Sequence, residues 1–210
     1  MDTSAWAMGA AVAAAAGGLW VCTSGAAPTG DCTVEYAHRS RCALGEGACW
    51  DPHNQRLLWI DIVRGKLFSY DPKTGENRDL HMKQLLGTVV PVDEQRCVLA
   101  GVKGVCVVDQ VTGEPKEVLG PNPEADSFSL RMNDGKCDPQ GRLWLGSMDM
   151  QWGEPWISNP DGSNKKDAGL YCWEGSGDSL KITKKLSDVM ISNGLVWNKA
   201  GDTFYYTDTP

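Results

Sequence analysis

CWDPHNQRLLWIDIVRGKLFSYDPKTGE (residues 49–76) runs turn, short apolar run, turn, short apolar run, turn. LLWID and KLFSY are rich in β-branched, aromatic and aliphatic residues, and Asp-Pro, Gly and Asp-Pro-Lys-Thr-Gly bound them, which is how half-buried strands and tight turns are written. The pattern returns in VVPVDEQRCVLAGVKGVCVVDQVTGE (89–114), where Gln95-Arg96 matches Gln55-Arg56, CVLAG matches LLWID, GVCVVD matches KLFSYD and VTGE matches KTGE. A third copy, KCDPQGRLWLGSM (136–148), pairs with GLYCWE (169–174) after a long insertion. A fourth, LVWNKAGDTFYYTDT (195–209), runs to the end of the chain.

The copies start about 40 to 60 residues apart, the spacing of four-stranded propeller blades with insertions in their loops. A β-sandwich has no reason to repeat D-P-x-x-x-R-L-W at that interval, and no stretch after residue 30 keeps a helical period. The expected class is all-β: a β-propeller of which residues 31–210 supply about three blades and part of a fourth. Because an open propeller leaves unpaired strand edges, the chain reads as the N-terminal, C-terminally truncated part of a longer protein.

Residues 1–30 have a different composition, with no Lys or Arg and an Ala/Gly-rich run from Ala5 to Val21. That run is too short and too rich in small residues for a stable membrane span. Ser24-Gly25-Ala26 suits signal cleavage, whereas the acidic, unbasic start does not. The segment reads as a low-complexity leader, a signal or targeting peptide in one reading, so the protein is either cytoplasmic or secreted or organellar. A net charge of -7 argues against nucleic acid or an anionic membrane as partner. The eight cysteines show no C-x-x-C pair, and Cys97, Cys106, Cys137 and Cys172 fall in apolar runs where a free thiol acts as a small hydrophobe. His38, His53 and His81 have no metal-binding spacing and read as surface residues.

Propellers act where their inner strands begin, so polar residues in LGEGACWD (44–51), LRMNDGKCDPQGRLWLGSMD (130–149), DMQWGEPW (149–156) and ISNGLVW (191–197) are the candidates. Taken alone, Glu46 is a turn carboxylate between two glycines that permit close backbone approach. Asn193-Gly194 and Asn133-Asp134-Gly135 are equally well read as hairpin turns. Asp138, Arg142 and Trp144 have counterparts in the other copies, which argues for scaffold.

GEG-x-x-W-D, R-x-N-D-G-K-x-D-P-x-G-R-x-W-x-G-S-M and ISNGL-x-W, in this order, resemble the regucalcin/gluconolactonase family of sugar-lactone hydrolases, from about residue 35 onward. The resemblance implies a six-bladed propeller in full length. It implies a divalent cation, Ca2+ first with Zn2+, Mn2+ or Mg2+ as alternatives, held by Glu46 and Asn193, whose oxygen donors suit a hard ion. It implies substrate binding by Arg131 and Asn133, a forked cationic donor and a two-way amide suited to a small lactone with its hydroxyls. Relatives carry an acidic residue after the G-S/T-M strand, and Gln151 is the nearest match here, beside Asp149 and Glu154. The third metal ligand, an Asp in a P-D-G segment and the expected catalytic carboxylate, has no match after Asn193 and is expected beyond residue 210.

The implied activity is metal-dependent hydrolysis of a sugar-acid lactone by an activated water. The alternatives are a calcium-binding or catalytically incomplete propeller fragment without turnover, and a propeller hydrolase acting on another ester class. The physiological lactone and the oligomeric state are not written in the sequence.

Overall fold

The computed structural model describes residues 12–15, 18–21, 35–124, 130–150 and 167–209. Near the N-terminus, β1 (Val12–Ala15) and β2 (Gly18–Val21) pair as an antiparallel ribbon. Three four-stranded antiparallel sheets follow. The first is β3 (Gly45–Asp51), β4 (Arg56–Asp61), β5 (Lys66–Tyr70) and β6 (Asn77–His81). The second is β7 (Leu86–Pro91), β8 (Arg96–Gly101), β9 (Gly104–Asp109) and β10 (Pro115–Gly120). The third is β11 (Leu130–Cys137), β12 (Leu143–Asp149), β13 (Ala168–Glu174) and β14 (Lys181–Val189). A two-stranded sheet, β15 (Ser192–Trp197) and β16 (Phe204–Asp208), completes the described chain, so the architecture is three propeller blades and half of a fourth. Among the described residues the only helical turn is a short 3-10 segment, Gly177–Ser179.

Sandwiching of the second and third blades between two others explains why their middle strands are continuously apolar rather than alternating. In β4, Leu58 and Ile60 face the second blade and pack with Leu86, Cys97 and Leu99. Leu57 and Trp59, offset by one residue, face the opposite side with Phe68 and Tyr70. In the second blade, Cys97 and Leu99 point to the first, while Val98 and Ala100 point to the third, where they meet Met132, Leu145 and Trp173. Trp144 turns the other way and meets Phe204 of the last sheet at 5.3 Å. The period-two alternation survives, but in the second and third blades both faces are interblade cores. Each fully buried aliphatic chain contributes roughly 1.5–3 kcal/mol.

Outer strands face solvent and carry charge: Arg78 and Asp79 in β6, Lys116 and Glu117 in β10, Lys181, Lys184 and Lys185 in β14. Such charges keep exposed edges from pairing with other chains.

The turn between the first and second strands repeats as an Asx turn. Asp51 Oδ1 accepts the His53 and Asn54 N–H groups, Asp93 Oδ1 those of Gln95 and Arg96, and Asp138 Oδ1 those of Gln140 and Arg142. Asn198 takes the same role in the last sheet. Arg142 Nε and Trp144 Nε1 both donate to Asp138 Oδ2, at 2.6 and 2.8 Å. The D-P-x-G-R-x-W segment is therefore scaffold, as its recurrence indicates.

The inner strands β3, β7, β11 and β15 line up round the axis, and each carries a register shift against its second strand: between Glu46 and Cys49, Leu86 and Thr88, Met132 and Gly135, and Asn193 and Leu195. Bulges kink a strand and re-aim its side chains, and they cluster beside active sites. At Gly87 the backbone of β7 lies against that of β11, so an added Cβ would collide with the Met132 carbonyl and sit 2.7 Å from that of Asn133. One residue on, the buried Thr88 hydroxyl donates to the Gly135 carbonyl at 3.1 Å and clasps the two blades. Thr88→Val keeps the shape and removes this bond, with an expected loss of about 1 kcal/mol measured by urea denaturation. An unchanged midpoint would mean the clasp contributes nothing.

Candidate active site

Asn133 and Asn193 lie inside strands β11 and β15, at the bulges, and not in hairpin turns. That placement removes the turn reading of both Asn-containing motifs. It also turns side chains from blades distant in sequence toward one another at the axis.

A hydrogen-bonded chain results. Arg131, 5% exposed, donates from Nη1 to the Met132 carbonyl and to Asn133 Oδ1, both at 2.9 Å. The Asn133 amide nitrogen then donates to the Ser192 carbonyl at 2.8 Å and to Asn193 Oδ1 at 3.2 Å. Asn193 Nδ2 donates to Thr209 Oγ1 at 2.8 Å, which orients its amide with Oδ1 toward Asn133. Arg131, Asn133 and Asn193 are thus one network, with their amide directions fixed.

Glu46 stands on β3 on the exposed side of the inner strands, and no described residue hydrogen-bonds to its carboxylate. Water reaches the group, but the surrounding strands strip part of its hydration and raise its pKa; Asp134 adds repulsion, and Arg131 partly offsets both. Burial brings Arg131 down to about 10, with the Glu46 charge opposing, so the guanidinium stays protonated near neutral pH. Asp134 is also raised, chiefly by burial, although the Gly135 N–H donates to it at 2.8 Å and Lys136 lies near.

The inner strands also enclose a cavity of ≈150 Å³ lined by one piece of each: Gly47–Cys49, Thr88 and Val89, Asp134–Lys136, and Gly194 and Leu195. Glu46 and Asn193 each directly precede a residue of that lining. Asp134 was not singled out as a site residue in the sequence; its signal was its place beside Asn133 in R-x-N-D-G. Thr209 carried no signal of its own.

The segments that present the site are anchored alike. Asp61 accepts the N–H groups of Ala43 and Leu44 ahead of the Glu46 strand, at 2.8 and 3.3 Å. Asp208 accepts those of Met190 and Ile191 ahead of the Asn193 strand, at 3.0 and 2.9 Å. Asp208 is therefore an anchor for the ISNGL segment.

Gln151 and Glu154 lie outside the described residues. Among those described, no group of three or more His, Cys, Asp and Glu side chains forms a metal-sized cluster, and no helix is long and apolar enough to cross a membrane. His53 and His81 are exposed, as expected, while His38 is half-buried and stacks on Tyr70 at 5.6 Å. Cys97 and Cys172 are fully buried free thiols, and burial pushes the Cys97 pKa up to about 12.

The model of the SMP-30/Gluconolactonase/LRE-like region matches residues 44–210. YvrE of Bacillus subtilis is 32% identical over 171 residues, 81% of this chain and 53% of YvrE. The 6-deoxy-6-sulfogluconolactonase of Pseudomonas putida is 31% identical over 178 residues, 85% of this chain and 56% of the relative. Among solved structures, a luciferin-regenerating enzyme superposes with a TM-score of 0.68 at 27% identity, covering 80% of this chain and 53% of that one. The chain spans about half the length of the curated relatives it matches.

Proposed function

Because the chain belongs to the SMP-30/gluconolactonase/LRE-like family, we propose that the whole protein hydrolyses a sugar-acid lactone with the help of a divalent cation. The observation that supports this reading best is the Arg131–Asn133–Asn193 network on the inner strands, with the Glu46 carboxylate electrostatically coupled to Arg131.

The donor set suits a cation. Glu46 offers a carboxylate with no competing hydrogen bond from a described residue, and Asn193 offers an amide oxygen whose direction Thr209 fixes. These are hard oxygen ligands of the kind Ca2+ prefers, and Mg2+, Mn2+ or Zn2+ can use them too. When bound, a cation here supplies Lewis acidity toward the lactone carbonyl and acidifies a coordinated water.

The chain's own residues bind and orient the substrate. Arg131 uses Nη1 to hold the Met132 carbonyl and Asn133, and its remaining N–H groups are donors for ring or hydroxyl oxygens of the lactone. Asn133 keeps Arg131 and Asn193 in fixed relation, so the carbonyl-facing and hydroxyl-facing contacts are set before substrate arrives. Gln151, by its position in the sequence, is a candidate for contact with the sugar hydroxyls and thus for choice among lactones.

The test is hydrolysis of glucono-δ-lactone by the full chain after EDTA treatment, alone and with Ca2+, Zn2+, Mn2+ or Mg2+ added back. Turnover restored by at least one cation is the expected outcome. Cation binding without turnover on a panel of aldonolactones would leave a calcium-binding or incomplete propeller, and neither binding nor turnover would remove the proposal altogether.

A further inference from the structure

Thr209 stands outside the three sequence motifs that supply the axial site, directly after β16. Its backbone is nevertheless pinned to the segment that carries Asn193. The Thr209 N–H donates to the Ile191 carbonyl at 3.0 Å, and Asp208, one residue back, accepts the Met190 and Ile191 N–H groups. Ile191 is in turn bridged to Met148 of β12, so two blades set the place of the Thr209 hydroxyl.

That hydroxyl holds the nitrogen end of Asn193. The oxygen end has the weaker grip, because Asn133 Nδ2 meets the Ser192 carbonyl at 2.8 Å and reaches Asn193 Oδ1 only at 3.2 Å, the far end of the usual range. The bond from Asn193 Nδ2 to Thr209 Oγ1, at 2.8 Å, is the shorter of the two on this side chain. An amide nitrogen has donors and no lone pair to offer, so Thr209 Oγ1 is the acceptor. Without it, Asn193 keeps one long side-chain bond and turns more freely.

The same bond gains strength when the site is loaded. With a cation on Oδ1, electron density leaves the amide nitrogen and its N–H groups become better donors, as hydrogen bonds in a chain polarise one another. An interaction that is stronger in the loaded state than in the empty one contributes to affinity, whereas an equal one contributes only to stability.

We propose that Thr209 is a positioning residue for the cation site: its hydroxyl holds the Asn193 amide so that the oxygen is presented for coordination. The proposal rests on the reading of Asn193 as a cation ligand. Its test is calorimetric titration of the EDTA-treated full chain with CaCl2, with no lactone present. Thr209→Val keeps the shape and removes the hydroxyl, and is expected to weaken Ca2+ binding about fivefold, while Thr209→Ser stays within about twofold of the parent. In the metal-free chain, the Asn193 side-chain amide protons followed by NMR are expected to exchange faster in Thr209→Val than in the parent or Thr209→Ser. Should Thr209→Val lower the unfolding midpoint, Thr209→Ala decides, since Thr209 is exposed and its methyl is dispensable. A parent chain that binds no Ca2+ removes the cation reading and this proposal with it. Ca2+ binding by the parent that Thr209→Val matches leaves the cation reading in place and ends the proposal alone. Equal weakening in Thr209→Val and Thr209→Ser would place the effect on the methyl group and overturn it too.

Discussion

Gly146→Ala is expected to destabilise the protein by about 3 kcal/mol, at the upper end of what overpacking a core costs. Gly146 sits buried in β12, and a Cβ built on it falls inside the van der Waals radii of both Oγ and Cβ of Ser192 in the next blade. The hydroxyl alone could rotate away, but the Ser192 Cβ cannot move without its backbone. Gly146 does not have a positive φ, so the penalty is steric and not conformational. Separating β12 from β15 would also shift the Ser192 carbonyl that holds Asn133, so the damage reaches the axial network. Guanidinium denaturation measures the loss, and Ser192→Gly in the same chain supplies the control. Ser192 Oγ has at most a weak contact with the Tyr206 hydroxyl, so its removal costs little, and it clears the space that the new methyl needs. Recovery of most of the lost stability in the double variant is the coupling expected of residues in contact. If Gly146→Ala alone leaves the midpoint in place, the two blades yield at this contact and are not tightly packed there.

This close approach explains one part of what was legible in the sequence and one part that was not. The blades could be read because each strand-turn-strand unit buries two faces and closes with the same Asx turn, so Asp51, Asp93 and Asp138 recur with Arg56, Arg96 and Arg142 behind them. Local chemistry writes that pattern. Glu46, Asn133 and Asn193 could be singled out only through motif resemblance, because the property that unites them, a bulge at the start of every inner strand, is a relation between strands and leaves no periodic trace. Asn-Gly at 193–194 has the composition of a turn and serves as the bulge of a strand. Gly146 looked like one more glycine in a motif; its reason for being glycine lies 46 residues away, in Ser192. Cys97 and Cys172, by contrast, read correctly as buried hydrophobes because burial of an apolar run is a local signal, while Cys106 and Cys137 are only half-buried.

Glu46→Gln is expected to lower cation-dependent lactone turnover by about a hundredfold or more, equal to about 2.7 kcal/mol of transition-state stabilisation, while changing stability by no more than about 0.5 kcal/mol. The two expectations come from one feature. Glu46 is exposed on the channel side and receives no hydrogen bond from a described residue, so the fold does not rely on its charge. Its neighbours Asp134 and Arg131 act on it in opposite directions, so neutralising it relieves a repulsion and removes an attraction of similar kind. The amide is nearly isosteric and keeps one oxygen donor, which separates loss of charge from loss of shape. A cation held by two neutral amides, the substituted side chain and Asn193, would be bound far more weakly than one held by a carboxylate and an amide. Calorimetric titration with Ca2+ should therefore show reduced affinity in step with the kinetic loss, and high Ca2+ should recover part of the rate. Asn193→Ala provides the complementary case. It removes the other oxygen and deprives Asn133 Nδ2 of one of its two acceptors, so turnover should fall with a measurable stability cost of about 1 kcal/mol. If both variants turn over lactone at the rate of the parent under identical cation supply, the reaction proceeds without these groups, and the axial network is a structural brace between blades.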